Sequence, residues 1–106
     1  MNIPLLLLKF LAEILGTFLF LLLIFLITNT YSGAHAIALP IGLALALSIF
    51  LFGDFTGGHF NPAISFAFFI KDPKLFTGLM LLAYIVAQMI GGVLALYTHT
   101  YIKSKM

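Results

Sequence analysis

Three long apolar stretches and one short one divide the chain. Each long stretch is close to or above the roughly 20 residues that a helix needs to cross the hydrocarbon of a bilayer. The long stretches cover residues 5–27, 36–53 and 75–98. A polar connector, residues 28–35, separates the first two, and a charged turn, Lys71–Lys74, precedes the third. The pattern therefore predicts an all-α membrane protein with three transmembrane helices in a single unit over residues 1–106.

The short apolar stretch follows a break in the pattern. The break, "GDFTGGHFNP", is rich in turn formers, and with the apolar residues after it occupies residues 54–70. Pro62 suits the first turn of a helix, and Asn61 suits its N-cap. A helix over residues 62–70 is about 14 Å long. That is about half of a hydrocarbon core roughly 30 Å thick.

The charges after this short helix place its far end at a membrane surface. Lys71, Asp72 and Lys74 favour water, so we expect the N-terminus of the helix near the midplane of the bilayer. We predict a re-entrant half-helix, because non-helical backbone at that depth is tolerated only inside protein or beside a water-filled cavity. The alternative is an interfacial helix that lies flat on the membrane.

Composition agrees with the membrane interpretation. Hydrophobic residues make up 63% of the 106 residues and charged residues 8%, which is too few charges to cover the surface of a soluble domain. We therefore expect an integral, multi-pass protein, most simply of the cell membrane, with the lipid bilayer as a partner. The formal charge of +2 comes from scattered lysines, which predict no patch for nucleic acid.

The residues that catalysis or metal binding would need are scarce. The chain has no cysteine, and its three histidines are spread too widely for a metal site. Glu13 is the only deeply placed acid, whereas Asp54 and Asp72 lie in predicted turns. We therefore expect no enzyme activity, no metal and no cofactor. Tyr84 is expected to have an interfacial or packing role.

The predicted half-helix favours transport of neutral solutes. A helix N-terminus carries about half a positive charge and unpaired N–H groups. Near the midplane it would repel cations and offer donors to the oxygen of a neutral solute, and the Asn61 amide would add another donor. Glu13 lies within the first apolar stretch and needs a partner, because an unpaired charge is costly in apolar surroundings.

Several segments, taken in order, resemble the aquaporin and glycerol-facilitator family. "GGHFNPA" is similar to the family's first Asn-Pro-Ala loop. The other similar segments are "AEILGTFLFLLLIF" for the first helix, "IGLALALSIFLFGDFTGGHFNPAIS" for the second helix and loop, and "YIVAQMIGGVLA" for the third helix. The resemblance implies one inverted repeat of the family's fold, and with it a channel for water or a small neutral solute such as glycerol.

The resemblance also implies roles for individual residues. The pore-centre motif would be Asn61, Pro62 and Ala63. Glu13 resembles the family's buried glutamate, which holds the loop backbone and the histidine that corresponds to His59. Gln88 resembles a glutamine that supports the loop from the third helix. His59 would then be a loop brace and not an acid or a base.

The sequence departs from the family in one respect, because members carry two inverted halves and this sequence holds one Asn-Pro-Ala motif. A re-entrant loop without a second half leaves backbone groups exposed to lipid at a cost of kilocalories each. Lysine counts, which set orientation, are nearly equal on the two predicted sides of the membrane. They are Lys9, Lys71 and Lys74 on one side, and Lys103 and Lys105 on the other. We therefore expect a dual-topology antiparallel homodimer that forms one pore.

Family analogy extends this assembly to a tetramer of pores, about eight chains in all. Two alternatives stay open at this point. The chain could pair with a separate second-half protein, or it could be a structural or relic membrane protein that transports nothing.

A narrow ring outside the pore centre sets selectivity in the family, usually with an arginine. The resemblance places the corresponding positions at Ile41, Ile49, Gly58 and Ile64. An apolar ring without arginine lacks a positive barrier and a strong donor, so that helix dipoles become the main cation filter. We expect less strict exclusion of ions than is usual in the family. If no pore forms, the three isoleucines are ordinary lipid-facing or core residues.

Overall fold

Four helices make up the part of the protein that the structure describes. The structure is a computed structural model and describes residues 2–106, so that Met1 of the predicted unit lies outside the described residues. The helices are α1 (Ile3–Thr30), α2 (Ala34–Thr56), α3 (Pro62–Lys71) and α4 (Gly78–Ser104). α1, α2 and α4 are each long and apolar enough to cross a membrane, whereas α3 is a short apolar helix. The predicted all-α fold with three long helices and one short one is confirmed.

Polar side chains cap the first and last helices. Asn2 Oδ1 accepts a hydrogen bond of 3.0 Å from the Leu5 N–H at the start of α1. Thr77 Oγ1 accepts one of 3.3 Å from the Met80 N–H at the start of α4. Both satisfy backbone donors that have no partner inside the helix.

The third long helix begins later than the sequence predicts. Its predicted span starts at residue 75, but α4 starts at Gly78. Asp72 Oδ1 accepts hydrogen bonds of 3.2 Å from the N–H groups of both Lys74 and Leu75, which holds these residues in a turn. Phe76 is buried in that turn. Its apolar side chain therefore continues the hydrophobic pattern without being part of the helix.

α1 lies between α2 and α4, and α3 packs against α4. Small buried residues let α4 approach α1 closely, and they recur every four positions at Ala87, Gly91 and Ala95. A Cβ atom on Gly91 would lie 2.6 Å from the carbonyl oxygen of Ile14 in α1, a distance that real Cβ atoms do not reach. The two longest helices therefore meet at a glycine that has no room for a side chain.

The short helix α3 begins partway along the length of the bundle, at its exposed edge. The loop before it is hydrogen-bonded to Glu13, which lies about 15 Å along α1 from its start at Ile3. The longest dimension of the molecule is 45 Å, close to the full thickness of a bilayer. This depth favours the re-entrant arrangement over a helix that lies flat on the membrane surface.

Candidate functional site

The loop between α2 and α3 has an unusual backbone. Gly57 and Gly58 have φ angles of 89° and 70°, which suit glycine, but Phe60 also has a positive φ of 52°. A bulky residue in this region is strained by roughly 1–3 kcal/mol and persists only where its surroundings hold it. The Phe60 ring occupies the space beside Gly16 of α1, where a side chain on Gly16 would overlap it. Packing against α1 therefore helps to fix the loop.

Glu13 holds the same loop by its backbone. The side chain is fully buried. One carboxylate oxygen accepts a hydrogen bond of 3.2 Å from the His59 N–H, and the other accepts one of 3.0 Å from the Phe60 N–H. A third bond of 3.0 Å comes from Gln88 Nε2. Three donors thus compensate a carboxylate that apolar surroundings would otherwise exclude.

The His59 ring lies against Ser65 and not against Glu13. Its Nδ1 atom lies 2.9 Å from Ser65 Oγ. The ring packs against Phe68, Phe76 and Tyr84, with centroid distances of 4.7, 5.0 and 5.0 Å. Glu13 reaches only the backbone N–H of His59, because the ring turns toward the start of α3. The His59 side chain therefore braces the loop against α3 and α4.

Gln88 joins the two halves of this network. Its Nε2 atom donates to Glu13 and also to Ser65 Oγ, the latter at 2.8 Å. Ser65 is fully buried on α3. The structure therefore brings together the three predicted loop-support residues, Glu13, His59 and Gln88, through a serine that sequence reasoning missed. One feature of the sequence could have indicated Ser65: it is a polar residue one helical turn after the N-cap Asn61, in an otherwise apolar helix.

Tyr84 has a more specific role than the one expected. Its hydroxyl donates a hydrogen bond of 2.8 Å to the carbonyl oxygen of Thr56, the last residue of α2. Thr56 Oγ1 in turn accepts a hydrogen bond of 3.0 Å from the Gly58 N–H. Tyr84 is 1% exposed. It therefore anchors the start of the loop from inside the bundle.

The Asn-Pro-Ala residues form the tip of the loop. Asn61 caps α3, because its Oδ1 accepts a hydrogen bond of 2.8 Å from the Ala63 N–H. Asn61 and Ala63 are both exposed. With its oxygen engaged in the cap, the Asn61 amide keeps its nitrogen for other acceptors. The tip thus presents N–H donors and the positive end of the α3 dipole.

The structure brings only two of the four predicted ring positions together. A Cβ atom on Gly58 would lie 3.0 Å from Ile49 Cγ1, so Ile49 and Gly58 face each other across α2 and the loop. Ile64 is exposed on the first turn of α3. Ile41 lies eight residues before Ile49 on α2, a rise of about 12 Å. The four positions therefore do not meet at one level within a single chain.

A groove opens on the other side of the tip, between α1 and α4. We call it the α1–α4 groove, and its volume is about 470 Å³. Its edge is formed by Phe60, Asn61 and Pro62, its walls by Phe20, Leu21, Met89, Gly92 and Val93, and its floor by Thr17 and Gln88. Thr17 Oγ1 and Gln88 Oε1 are buried and find no hydrogen-bond partner within residues 2–106. None of the four predicted ring positions lines this groove.

Titratable side chains do not cluster elsewhere in the described part of the chain. Over residues 2–106, no three His, Asp or Glu side chains lie close enough together to hold a metal ion. The polar centre of the molecule is the network that runs from Glu13 through Gln88 to Ser65 and His59.

Comparison of the sequence with known proteins gives a family match and two relatives. A family described as "Major intrinsic protein" matches residues 3–106. An aquaglyceroporin of Toxoplasma gondii is 52% identical over 44 residues, which are 42% of this chain and 16% of that protein. Nodulin-26 of Glycine max is 40% identical over 47 residues, which are 44% of this chain and 17% of that protein. The aligned segments thus span about a sixth of each relative. No solved structure gives a significant match.

Proposed function

This chain belongs to the major intrinsic protein family, and on that premise we propose that it is a channel subunit for passive transport of water or small neutral solutes. It is an integral membrane protein with three helices able to cross a bilayer. The observation that carries the proposal is the position of α3, whose N-terminus is held at the level of Glu13 inside the bundle.

The loop backbone offers a row of acceptors. The N–H groups of His59 and Phe60 point to Glu13. In a trans peptide the carbonyl points opposite to the N–H, so the carbonyl oxygens of Gly58 and His59 point away from Glu13. A passing solute could donate to these oxygens and then accept from the Asn61 amide. These contacts replace the hydrogen bonds that a neutral molecule makes to water. A cation does not pass, because the positive end of the α3 dipole repels it.

A second copy in the inverted orientation completes the proposed pore. The Asn61–Ala63 tip is exposed at the edge of a single chain, and polar backbone at membrane depth requires protein or water around it. The nearly equal lysine counts on the two sides allow insertion in both orientations. The resulting antiparallel homodimer would place two Asn-Pro-Ala tips in one pore, and four such pores would form the assembly expected from the family.

Selectivity is proposed to come from Ile49 and Gly58, with Ile41 and Ile64 completing the constriction in the dimer. The contact between Ile49 and Gly58 supports this for one pair. The sequence has no arginine, so these apolar positions supply no strong donor at the constriction. We propose that small neutral molecules, water and glycerol among them, pass on the basis of size.

Flux through proteoliposomes tests the channel. The protein should make vesicles shrink faster than empty vesicles after an osmotic step with an impermeant solute, and should admit glycerol in a second assay. Ile49→Trp should narrow the constriction and reduce glycerol flux by tenfold or more, with a smaller effect on water. Phe50→Trp is the matched control, because the neighbouring Phe50 is 82% exposed and faces away from the loop. Water and glycerol fluxes equal to those of empty vesicles would contradict the proposal.

A further inference from the structure

We propose that Tyr84 is a positioning residue for the constriction. Its hydroxyl holds the end of α2, and through Thr56 it keeps Gly58 against Ile49, so that it determines which solutes pass between them. Tyr84 is buried behind the loop and touches no solute itself. The inference rests on the proposed channel function and adds a residue outside the four predicted ring positions that controls the width of the path.

The Tyr84 hydroxyl ties together two helices that lie apart. In the described part of the chain, the backbones of α2 and α4 do not pack against each other. The hydrogen bond of 2.8 Å from the Tyr84 hydroxyl to the Thr56 carbonyl oxygen therefore joins α2 directly to α4. A helix leaves its last carbonyl groups without partners of its own, and Thr56 is buried at the end of α2. Because a buried acceptor without a partner is costly, the end of α2 stays where Tyr84 can reach it.

The Tyr84 ring is held in the direction of this acceptor. It packs against the His59 ring at a centroid distance of 5.0 Å and against the Phe76 ring at 4.8 Å, the latter edge to face. Edge-to-face contact is a preferred geometry of aromatic pairs. Phe76 is fixed in turn, because its N–H donates a hydrogen bond of 2.9 Å to the Asp72 carbonyl oxygen. The turn before α4 thus determines where the Tyr84 hydroxyl points.

Thr56 passes the constraint on to Gly58. Thr56 Oγ1 accepts a hydrogen bond of 3.0 Å from the Gly58 N–H. Gly58 has a φ of 70° and no side chain, so its conformation is not restricted by sterics and depends on contacts of this kind. The next N–H group, that of His59, is bound by Glu13. Gly58 therefore lies between two fixed groups, one set by Glu13 on α1 and the other by Tyr84 on α4.

The contact between Gly58 and Ile49 is close. A Cβ atom on Gly58 would lie 3.0 Å from Ile49 Cγ1 and 3.4 Å from Ile49 Cγ2, so the Gly58 backbone rests on the isoleucine side chain. A β-branched side chain has one strongly preferred χ1 rotamer in a helix, and Ile49 is therefore stiff. It is 42% exposed, which leaves part of it open to the proposed path. The Gly58 backbone is then the wall whose displacement changes the width.

Tyr84→Phe removes the hydroxyl and keeps the ring. The Thr56 carbonyl loses its partner, so we expect Gly58 to move away from Ile49 and the path to widen. In proteoliposomes the glycerol flux should rise severalfold relative to the water flux. Loss of folded protein would lower both fluxes in proportion and leave their ratio unchanged, which separates positioning from destabilisation.

Tyr97→Phe is the matched control for this flux ratio. Tyr97 lies on the same helix and is 69% exposed, so the loss of its hydroxyl should leave the glycerol-to-water ratio as it is in the unmodified protein. A ratio that Tyr84→Phe leaves unchanged as well would overturn the proposal.

Substitutions of Thr56 test the next link. Thr56→Val keeps the side-chain shape and removes the oxygen that accepts from the Gly58 N–H, whereas Thr56→Ser keeps that oxygen. Thr56→Val should raise the glycerol-to-water ratio as Tyr84→Phe does, and Thr56→Ser should leave it near the value of the unmodified protein. Equal ratios for the two Thr56 variants would show that Gly58 is not held through this oxygen, which would also refute the proposal.

Methyl NMR measures the same contact without transport. In micelles, with isotope-labelled isoleucine methyl groups, the Ile49 signals are assigned by their loss in Ile49→Val. Tyr84→Phe should shift or broaden these signals, because the wall beside Ile49 has moved, and Tyr97→Phe should leave them in place. The signals of Ile41, which lies eight residues earlier on α2, should stay unchanged in both variants. Ile49 signals that do not respond to Tyr84→Phe would count against the proposal in the same way as an unchanged flux ratio.

The two measurements separate the positioning role from the channel. If the Ile49 signals shift but no variant passes water or glycerol, the channel is refuted, and with it the role of Tyr84 in selectivity. If the protein conducts and Tyr84→Phe changes neither the signals nor the flux ratio, the positioning role alone is refuted.

Discussion

At the scale of single residues, Glu13 determines how the loop can be folded. It accepts hydrogen bonds from two consecutive backbone N–H groups and from Gln88. No neutral side chain of the same length offers two acceptor oxygens. The carboxylate therefore stabilises the positive φ of Phe60, which the backbone would otherwise avoid.

Glu13→Gln should destabilise the protein by about 1–3 kcal/mol, because one backbone N–H loses its acceptor while remaining buried. The measurement is the free energy of unfolding in detergent. Asp54→Asn removes a charge from an exposed position and should change stability little. Equal effects of the two substitutions would show that net charge matters and the loop contact does not.

The sequence indicates some residues of this hydrogen-bond network but not the others. Glu13 stands out because a carboxylate in an apolar stretch needs a partner, and the Asn61–Pro62 pair indicates a helix start. Ser65 and Tyr84 do not stand out, since a serine or tyrosine in an apolar helix is usually explained by packing. Their partners lie 23 and 28 residues away in the chain, and helical periodicity carries no information on contacts between helices.

At the scale of elements, the approach of α4 to α1 depends on small residues. Gly91 faces the α1 backbone at Ile14 and Phe18, so the two helices touch along their main chains. In a bilayer such contacts drive association, because lipid removes the hydrophobic advantage of large side chains.

Gly91→Val should force α1 and α4 apart and cost about 1–3 kcal/mol, as overpacking typically does. Thermal unfolding in detergent should show a lower midpoint. Gly42→Ala is the control, because its Cβ meets nothing within 4 Å and alanine favours the helix. Similar midpoints for the two variants would mean that helix propensity governs stability and close packing does not.

The elements themselves are largely predictable from the sequence, whereas several of their boundaries are not. α2 continues to Thr56, so that Asp54 is helical and not in a turn, and α4 covers Gly78–Ser104 instead of residues 75–98. Apolar length identifies helices, but it also counts residues in apolar turns. Phe76 is buried without being helical, and the turn depends on the Asp72 side chain, which a hydropathy pattern does not register. The start of α4 was placed too early for this reason.

At the scale of the whole molecule, the distribution of lysines governs orientation. The ends of the bundle carry Lys9, Lys71 and Lys74 on one side and Lys103 and Lys105 on the other. Positive residues are retained on the cytoplasmic side, so we predict that a difference of one lysine leaves both orientations accessible.

Ser104→Cys provides the single thiol that tests this orientation. An impermeant maleimide applied to sealed cells should label about half of the tails, and permeabilised cells should allow labelling of all of them. In a chain that also carries Lys103→Gln and Lys105→Gln, the cysteine at position 104 should be labelled from outside in most copies. The side that carries the tail then has no lysine, whereas the opposite side has three. If Ser104→Cys with both tail lysines intact is labelled from one side only, dual topology is contradicted.

The network around Glu13 can be completed only late in the synthesis of the chain. Gln88 follows Glu13 by 75 residues, and a ribosome that adds about 5–20 residues per second needs about 4–15 s to reach it. The two backbone partners of Glu13, at His59 and Phe60, are made earlier, but throughout that interval α1 lies in the membrane with a carboxylate that lacks its side-chain partner. Nascent chains halted before residue 88 should therefore stay bound to the insertion machinery, and release should coincide with the arrival of α4.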